Sequence, residues 1–292
     1  MANVGGHGLR SCHDPGEVGK LEFERNVSQG GGSLLSSATD LIIPALRGEP
    51  GLMRAAVVTD IHGNRRAFQA VLRDLKQVAP DLIVHGGDLV FGGTHPAEIV
   101  DEIRALDWPG VLGNTDEVLW TQGRLAKMGA EHPRLAPLLA QLREMIEPMC
   151  ARIGDERLGW LQKLPAVHAG DGFAVLHASP TDLWRAPMAN ATEEEIQKTY
   201  AQLGFPLVVY GHIHVSYVRR SPGIMVANAG SVSQSYDGDR RAAYALIDGE
   251  DVTIRRVEYD VESEARELLH SGLPHAEWLS RILLAGKYCP PE

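Results

Sequence analysis

The 292-residue chain predicts an α/β fold, with helices wrapped around a sheet. Three observations predict it. From Arg54 to Leu112, short apolar runs alternate with segments of helical period, the signature of βαβ units. Several of these runs stop at or just before glycine, next to a residue with ligand chemistry. Beyond residue 166, further short strands are punctuated by Gly170-Asp171-Gly172, Pro222-Gly223 and Asp248-Gly249 as turns.

The elements follow in order. Ala55 to Thr59 reads as a buried strand ending at Asp60. Asn64 to Val78 places Ala67, Phe68, Val71, Leu72, Leu75 and Val78 on one helical face. Asp81 to His85 is a second strand, closed by Gly86-Gly87-Asp88. Pro96 opens a helix to Leu106, and Pro109 to Leu112 is a third short strand ending in Gly113-Asn114. Residues 117–164 read as a helical cap packed on the sheet, with breaks near Pro133, Pro148 and Gly154. Ala166 to Ala178 is a hairpin whose second strand, Phe173 to Leu176, ends at His177. A helix from Thr192 to Leu203 precedes strands at Leu207–Tyr210, Val215–Arg219, Ile224–Ala227, Ala242–Ile247 and Val252–Tyr259. Two helices, near 261–270 and 275–285, complete the expected domain of residues 53–292. Residues 1–52, broken by Gly5, Gly6, Gly8, Gly16, Gly19 and Gly30 to Gly32, are expected to be a disordered leader.

Composition narrows the function classes. Hydrophobic residues at 44% and charged residues at 23% are ordinary for a globule with a sizeable core. A formal charge of −10 and no basic block weigh against binding nucleic acid through its phosphates. No apolar run reaches the roughly 18–20 residues of a membrane span. Cys12, Cys150 and Cys289 are scattered in no pairing pattern, as suits a cytoplasmic protein.

The chemistry collects at strand ends, where open α/β sheets place their sites: Asp60 and His62, Asp88, Asn114, His177, and His212 with His214. Tyr210-Gly211-His212-Ile213-His214 is the densest of these stretches. In an extended segment its two imidazoles point the same way, and neutral imidazole is the commonest metal ligand. Each residue alone has a plainer reading: a helix cap for an Asp, a turn for the Asn, a core histidine for His177. Together, carboxylates, imidazoles and an amide oxygen suit two divalent cations such as Mn, Fe or Zn. A structural zinc site would want four Cys or His instead.

Asp60-Ile-His62, Gly87-Asp88, Gly113-Asn114, His177 and Gly211-His212-Ile-His214 resemble, in order, the five motifs of the calcineurin-like metallophosphoesterases, in their compact bacterial branch. The resemblance runs from about Arg54 to about Tyr259. It implies a four-layer α/β/β/α sandwich with two divalent metal ions at one edge. The first metal would take Asp60, His62 and His214, the second Asn114, His177 and His212, and Asp88 would bridge them. It implies hydrolysis of a small phosphorylated substrate, a phosphodiester or a nucleotide, by a hydroxide shared between the metals. Asn228-Ala-Gly230-Ser231-Val232 also fits a recurring segment of that branch, with a turn-holding role expected here. The rival functions are a Ser/Thr-type protein phosphatase or phosphomonoesterase, a DNA nuclease, and a non-catalytic metal-binding scaffold on the same fold.

One position departs from the pattern. Many relatives have His directly after the motif Asn, assigned to stabilising the transition state or protonating the leaving group. This chain has Thr115, which cannot serve as an acid near pH 7. His85 and His95 are candidate substitutes, with a hydrogen bond behind the ligands expected for His85. Arg185 and Trp184, in the loop after His177, are candidate substrate contacts, for phosphate and for a base or aryl group.

Overall fold

The computed structural model describes residues 53–291, so the expected leader, residues 1–52, lies outside the described residues. Two sheets face each other. One has the order β2-β1-β8-β9, from β1 (Arg54–Val58), β2 (Leu82–His85), β8 (Ala242–Asp248) and β9 (Asp251–Val257). The other has the order β3-β4-β5-β7-β6, from β3 (Val167–Ala169), β4 (Phe173–Leu176), β5 (Leu207–Tyr210), β6 (Tyr217–Ser221) and β7 (Ile224–Asn228). β1 and β2 run parallel, as do β4, β5 and β7. Their carboxyl ends therefore carry the loops of Asp60, Asp88, His177 and His212.

Strand alternation builds the layers. Ala55, Val57 and Val84 from the first sheet meet Phe173, Val175, Leu207 and Val209 from the second in a core between the sheets. Ala56, Val58 and Tyr244 point outward into a larger helical core. Ala174, Leu176, Val208 and Tyr210 point the other way, under Ile196 and Tyr200 of a helix at Glu193–Tyr200. The expected four-layer α/β/β/α sandwich is thus what the sequence forms.

The first helical layer begins with α1 (Arg65–Val78), whose cap Asn64 accepts from the Ala67 N–H, and α2 (Pro96–Ala105). A short turn, α3 (Asn114–Glu117), leads to α4 (Gly123–Glu131), α5 (Ala136–Ile153) and α6 (Asp155–Leu161). Leu125, Met145, Ile146, Met149 and Leu161 share one core with Phe68 and Ile99, so the 117–164 segment joins this layer. The helix Glu193–Tyr200 is α7; α8 (Val261–His270) and α9 (Ala276–Ala285) end the chain's described helices. No described helix is long and apolar enough to cross a membrane.

Two expectations change. Pro109 to Leu112 makes one parallel bridge, His85 with Gly110, rather than a strand. The run meets β2 only at its last residue, where His85 N–H donates to Pro109 O and Val111 N–H to His85 O, and Leu112 N–H then turns to Pro165 O. Nor does Pro148 break its helix: α5 runs through it to Gly154, whose φ of 77° stops it. Burial of Met145, Ile146 and Met149 outweighs the missing hydrogen bond to the Glu144 carbonyl. Pro148→Ala restores that donor, and a gain of about 1–2 kcal/mol in urea-unfolding stability is expected after the added freedom of the unfolded chain is subtracted; an unchanged or lower midpoint would show that the proline fits α5 without cost.

Candidate metal centre

The loop after β1 lies along the loop after β2. Asp60 N–H donates to Gly87 O (3.0 Å), His62 N–H to Asp88 O (2.9 Å) and Gly63 N–H to Leu89 O (2.8 Å). Likewise Gly211 N–H, after β5, donates to His177 O, after β4 (3.0 Å). The two pairs of loops meet where Gly211 lacks a side chain: a Cβ there would sit 2.2 Å from Thr59 Oγ1 and 2.3 Å from Asp60 Oδ2. The meeting is sealed by the His212 N–H, which donates to Asp60 Oδ2 at 3.1 Å.

Asp60, His62, Asp88 and His214 bring one ligand atom each within 4.8 Å of the others, and all four are buried. His62 Nδ1 faces Phe91 O at 2.8 Å and His214 Nδ1 faces Gln234 O at 2.6 Å. A carbonyl only accepts, so in the neutral rings both protons sit on Nδ1. The two Nε2 lone pairs then face each other at 3.2 Å, an arrangement that calls for a cation between them. His214 Nε2 also lies 3.1 Å from Asp60 Oδ1.

The other three residues form a second group alongside. His177 Nδ1 faces Gly86 O at 2.9 Å, which turns its Nε2 toward Asn114 Oδ1 at 2.8 Å. His212 Nδ1 lies 2.8 Å from the same oxygen. Asp88 Oδ2 stands between the groups, 3.7 Å from His62 Nε2 and 3.5 Å from His177 Nε2. All seven expected ligand residues thus come to one place, as a donor set of carboxylates, imidazoles and an amide oxygen that fits divalent cations.

Charge accounts for the ionisation states. Burial alone would raise the Asp60 carboxyl, but His214, His177 and His62 outweigh it and hold it far below the ordinary range. Burial pushes His62 down, and burial with His177 pushes His212 down to about 4. His214 is raised: burial opposes its charge, but Asp60 favours it more. The backbone is held in an uncommon state as well. Asp60, His62, Asp88, His212 and His214 all have positive φ, between 48° and 69°. Such non-glycine residues cost about 1–3 kcal/mol each and cluster at functional sites.

Other residues build the frame. Asp116 accepts from the Leu89 and Val90 N–H groups (3.0 and 3.2 Å), and burial, then Asp88, pushes its carboxyl up to about 7. Thr115 contributes its backbone, donating to Asp88 Oδ1 at 2.9 Å, while its hydroxyl is buried without a partner. Asn228 donates to Gly211 O and Ser231 to Asp60 O, so that segment ties the first loop to the last, in keeping with its expected turn-holding role. Sequence reasoning gave Asp116 no role; its place two residues after Asn114 was the available signal.

The outlying candidates are placed differently. Trp184 donates its indole N–H to Glu117 Oε2 at 3.0 Å and lies under Arg124. Arg185, with 51% of its side chain exposed, stands 3.9 Å from Asp182. His85 does not make the hydrogen bond expected of it: neither ring nitrogen has a partner. Val84 takes the face between the sheets, so His85 turns to the other side, near Trp160. Burial, then His168, pushes it down to about 3, which keeps it neutral. His95 pairs with Thr94 (2.7 Å) and Glu267 (3.2 Å).

The residues matching the model of the calcineurin-like phosphoesterase superfamily domain are 53–252. The chain belongs to that superfamily. It is a phosphoester hydrolase of a metal-dependent family, and Asp60, His62, Asp88 and His214 are a candidate metal site within it. An uncharacterised protein of Methanocaldococcus jannaschii is 29% identical over 80% of this chain and 98% of its own length. A symmetrical bis(5'-nucleosyl)-tetraphosphatase of Aromatoleum aromaticum is 30% identical over 50% of this chain and 51% of its own. Among solved structures, a metallophosphoesterase from Sphaerobacter thermophilus is 27% identical, with a TM-score of 0.66 over 81% of this chain and all of its own. A hypothetical protein from Pyrococcus horikoshii shares the fold, with a TM-score of 0.69 at 18% identity over 81% of this chain and 100% of its own.

Two outcomes follow. Asp88→Asn keeps the shape but removes the charge between the two groups; bound Mn per chain and the Mn-induced rise in Tm should both fall, and unchanged metal content would remove Asp88 from the centre. Buried Glu264, beside Thr94 and Arg66, is pushed by burial, then Glu267, up to about 7 from 4.5. Its native proton is favoured between those values, so its contribution is full below pH 4.5 and is lost as pH rises through 7. Glu264→Gln should therefore flatten the fall in stability between pH 5 and about 8 in urea titrations; an unaltered slope would contradict this.

Proposed function

We propose that the protein is a dinuclear metal-dependent phosphoesterase acting on nucleotide phosphoanhydrides or phosphodiesters, in the cytosol where such nucleotides turn over. The observation that carries this reading is Asp88 Oδ2, poised between the His62 and His177 Nε2 atoms at 3.7 and 3.5 Å. Asp60, His62 and His214 would hold one cation and Asn114, His177 and His212 the other, with Asp88 shared. Mn, Fe and Zn suit this donor set. Bound there, a cation pair supplies a water of lowered pKa and offsets the charge of the phosphate.

The chain's own residues set the rest. The Thr115 N–H and the Asp116 carboxylate fix Asp88 and its loop, so the shared carboxylate is oriented before substrate arrives. The Asn114 amide stands at the start of α3, beside His177 and His212, where it would face the substrate. Thr115 offers no proton near pH 7, which favours leaving groups that need none: aryl esters and phosphoanhydrides. The likeness to a bis(5'-nucleosyl)-tetraphosphatase over half of the chain supports the same substrate class. Trp184 and Arg185 follow the His177 loop and would meet the base or distal phosphates.

The test is a substrate screen of the Mn-loaded protein with cyclic nucleotides, dinucleoside polyphosphates, bis-p-nitrophenyl phosphate and alkyl phosphomonoesters. Aryl esters and anhydrides should exceed alkyl monoesters by about a hundredfold, the usual contribution of a general acid. Equal rates would contradict the leaving-group argument, and no metal-stimulated turnover of any substrate would leave the non-catalytic scaffold.

A further inference from the structure

The chain has seven tyrosines, and their hydroxyls divide sharply. Tyr200 donates to Ala178 O, Tyr210 to Pro187 O, Tyr244 to Asp74 and Tyr259 to Ser233 O, while Tyr217 shares a hydrogen bond with Tyr210. Tyr236 and Tyr288 alone have hydroxyls without a hydrogen-bond partner among the described residues. These two touch each other, edge to face, with centroids 5.6 Å apart and planes at 73°.

Tyr236 also touches the metal centre. Its ring stacks on His214 with centroids 4.5 Å apart and planes at 29°. Its backbone N–H donates to His214 O at 2.9 Å. The next residue, Asp237, is fixed by Ser235 Oγ (2.7 Å), by the Ser216 N–H (3.2 Å) and by Arg256. The ring is therefore held from both sides, on a backbone with little freedom. Burial first, then Tyr288, Asp60 and Asp88, push the phenol above its ordinary range. The stacking on His214 places the ring on the Asp60, His62 and His214 side of the centre.

A buried tyrosine normally finds a partner for its hydroxyl, and the other five find one within the protein. One that is rigidly held beside a catalytic centre yet unpartnered has its donor in reserve for something that arrives. We propose that the Tyr236 hydroxyl is a substrate-binding donor, taking a non-bridging phosphoryl oxygen on the Asp60, His62 and His214 side of the centre. This rests on the phosphoesterase reading above. The group acts only as an O–H donor, at pH values where any phenol keeps its proton. Tyr288 holds the ring in place by its edge contact. The role differs from leaving-group protonation: it fixes the phosphoryl group opposite Asn114 and leaves the absence of an acid at Thr115 unrelieved.

The experiment compares the Mn-loaded wild-type chain with Tyr236→Phe, which keeps the stacked ring and loses only the hydroxyl. Binding of inorganic phosphate is measured by calorimetry, bound Mn by elemental analysis, folding by Tm, and kcat and KM with bis-p-nitrophenyl phosphate. Expected are wild-type Mn content and Tm, with phosphate affinity and kcat/KM each down about tenfold, the scale of one hydrogen bond to a charged group. Wild-type phosphate affinity and kcat/KM in the variant would overturn the role of Tyr236 alone. So would a parallel loss of bound Mn, which would make the hydroxyl a prop for His214. A wild-type protein that neither binds phosphate nor turns over the ester would sink both this role and the function on which it rests.

Discussion

Two buried carboxylates, Asp60 and Asp88, set the terms for the rest of the molecule. Charge removed from water must be met by opposite charge or by a metal. The neighbouring imidazoles do not meet it in their neutral form, because their Nδ1 protons are committed to the carbonyls of Phe91, Gly86 and Gln234. What remains is a ring of lone pairs facing inward. The same carbonyl hydrogen bonds fix each ring's orientation, so the centre is arranged before any cation enters it.

Holding that arrangement requires backbone that ordinary residues avoid and close approaches that only glycine permits. Five of the seven residues sit at positive φ, and Gly113 and Gly211 lie where a Cβ would strike Asp88 or Asp60. Strain of this kind persists only where the surroundings over-determine it. The two sheets and their shared core of Val57, Val175 and Val209 supply that rigidity. Asp116, Asn228 and Ser231 transmit it by tying each loop to its neighbour. None of these three faces the centre's lone pairs, yet removing any one would leave a buried backbone group unpaired.

The site is unequal on its two sides. Around His214, the stacked ring of Tyr236 and the anchored 235–237 turn leave a rigid wall. Around Asn114, the residues come from a one-turn helix and from the loop carrying Trp184 and Arg185, beside Arg124 of α4.

By itself the sequence determined the α/β class and nearly every element, and it named the seven residues that the fold brings together, four of which form the candidate metal site. Those signals are local: alternation, helical period, glycine after a strand, a ligand type at a strand end. Where a local signal met a non-local force it failed, as when buried Met145 and Met149 carried α5 through Pro148. Tertiary structure alone decided that His62 and His214, 152 positions apart, aim their lone pairs at each other, and that Asp88 stands between two groups. It alone brought Tyr236 against His214. The reason is that stacking and carbonyl orientation are relations between distant segments, and they leave no periodic or compositional mark on the chain.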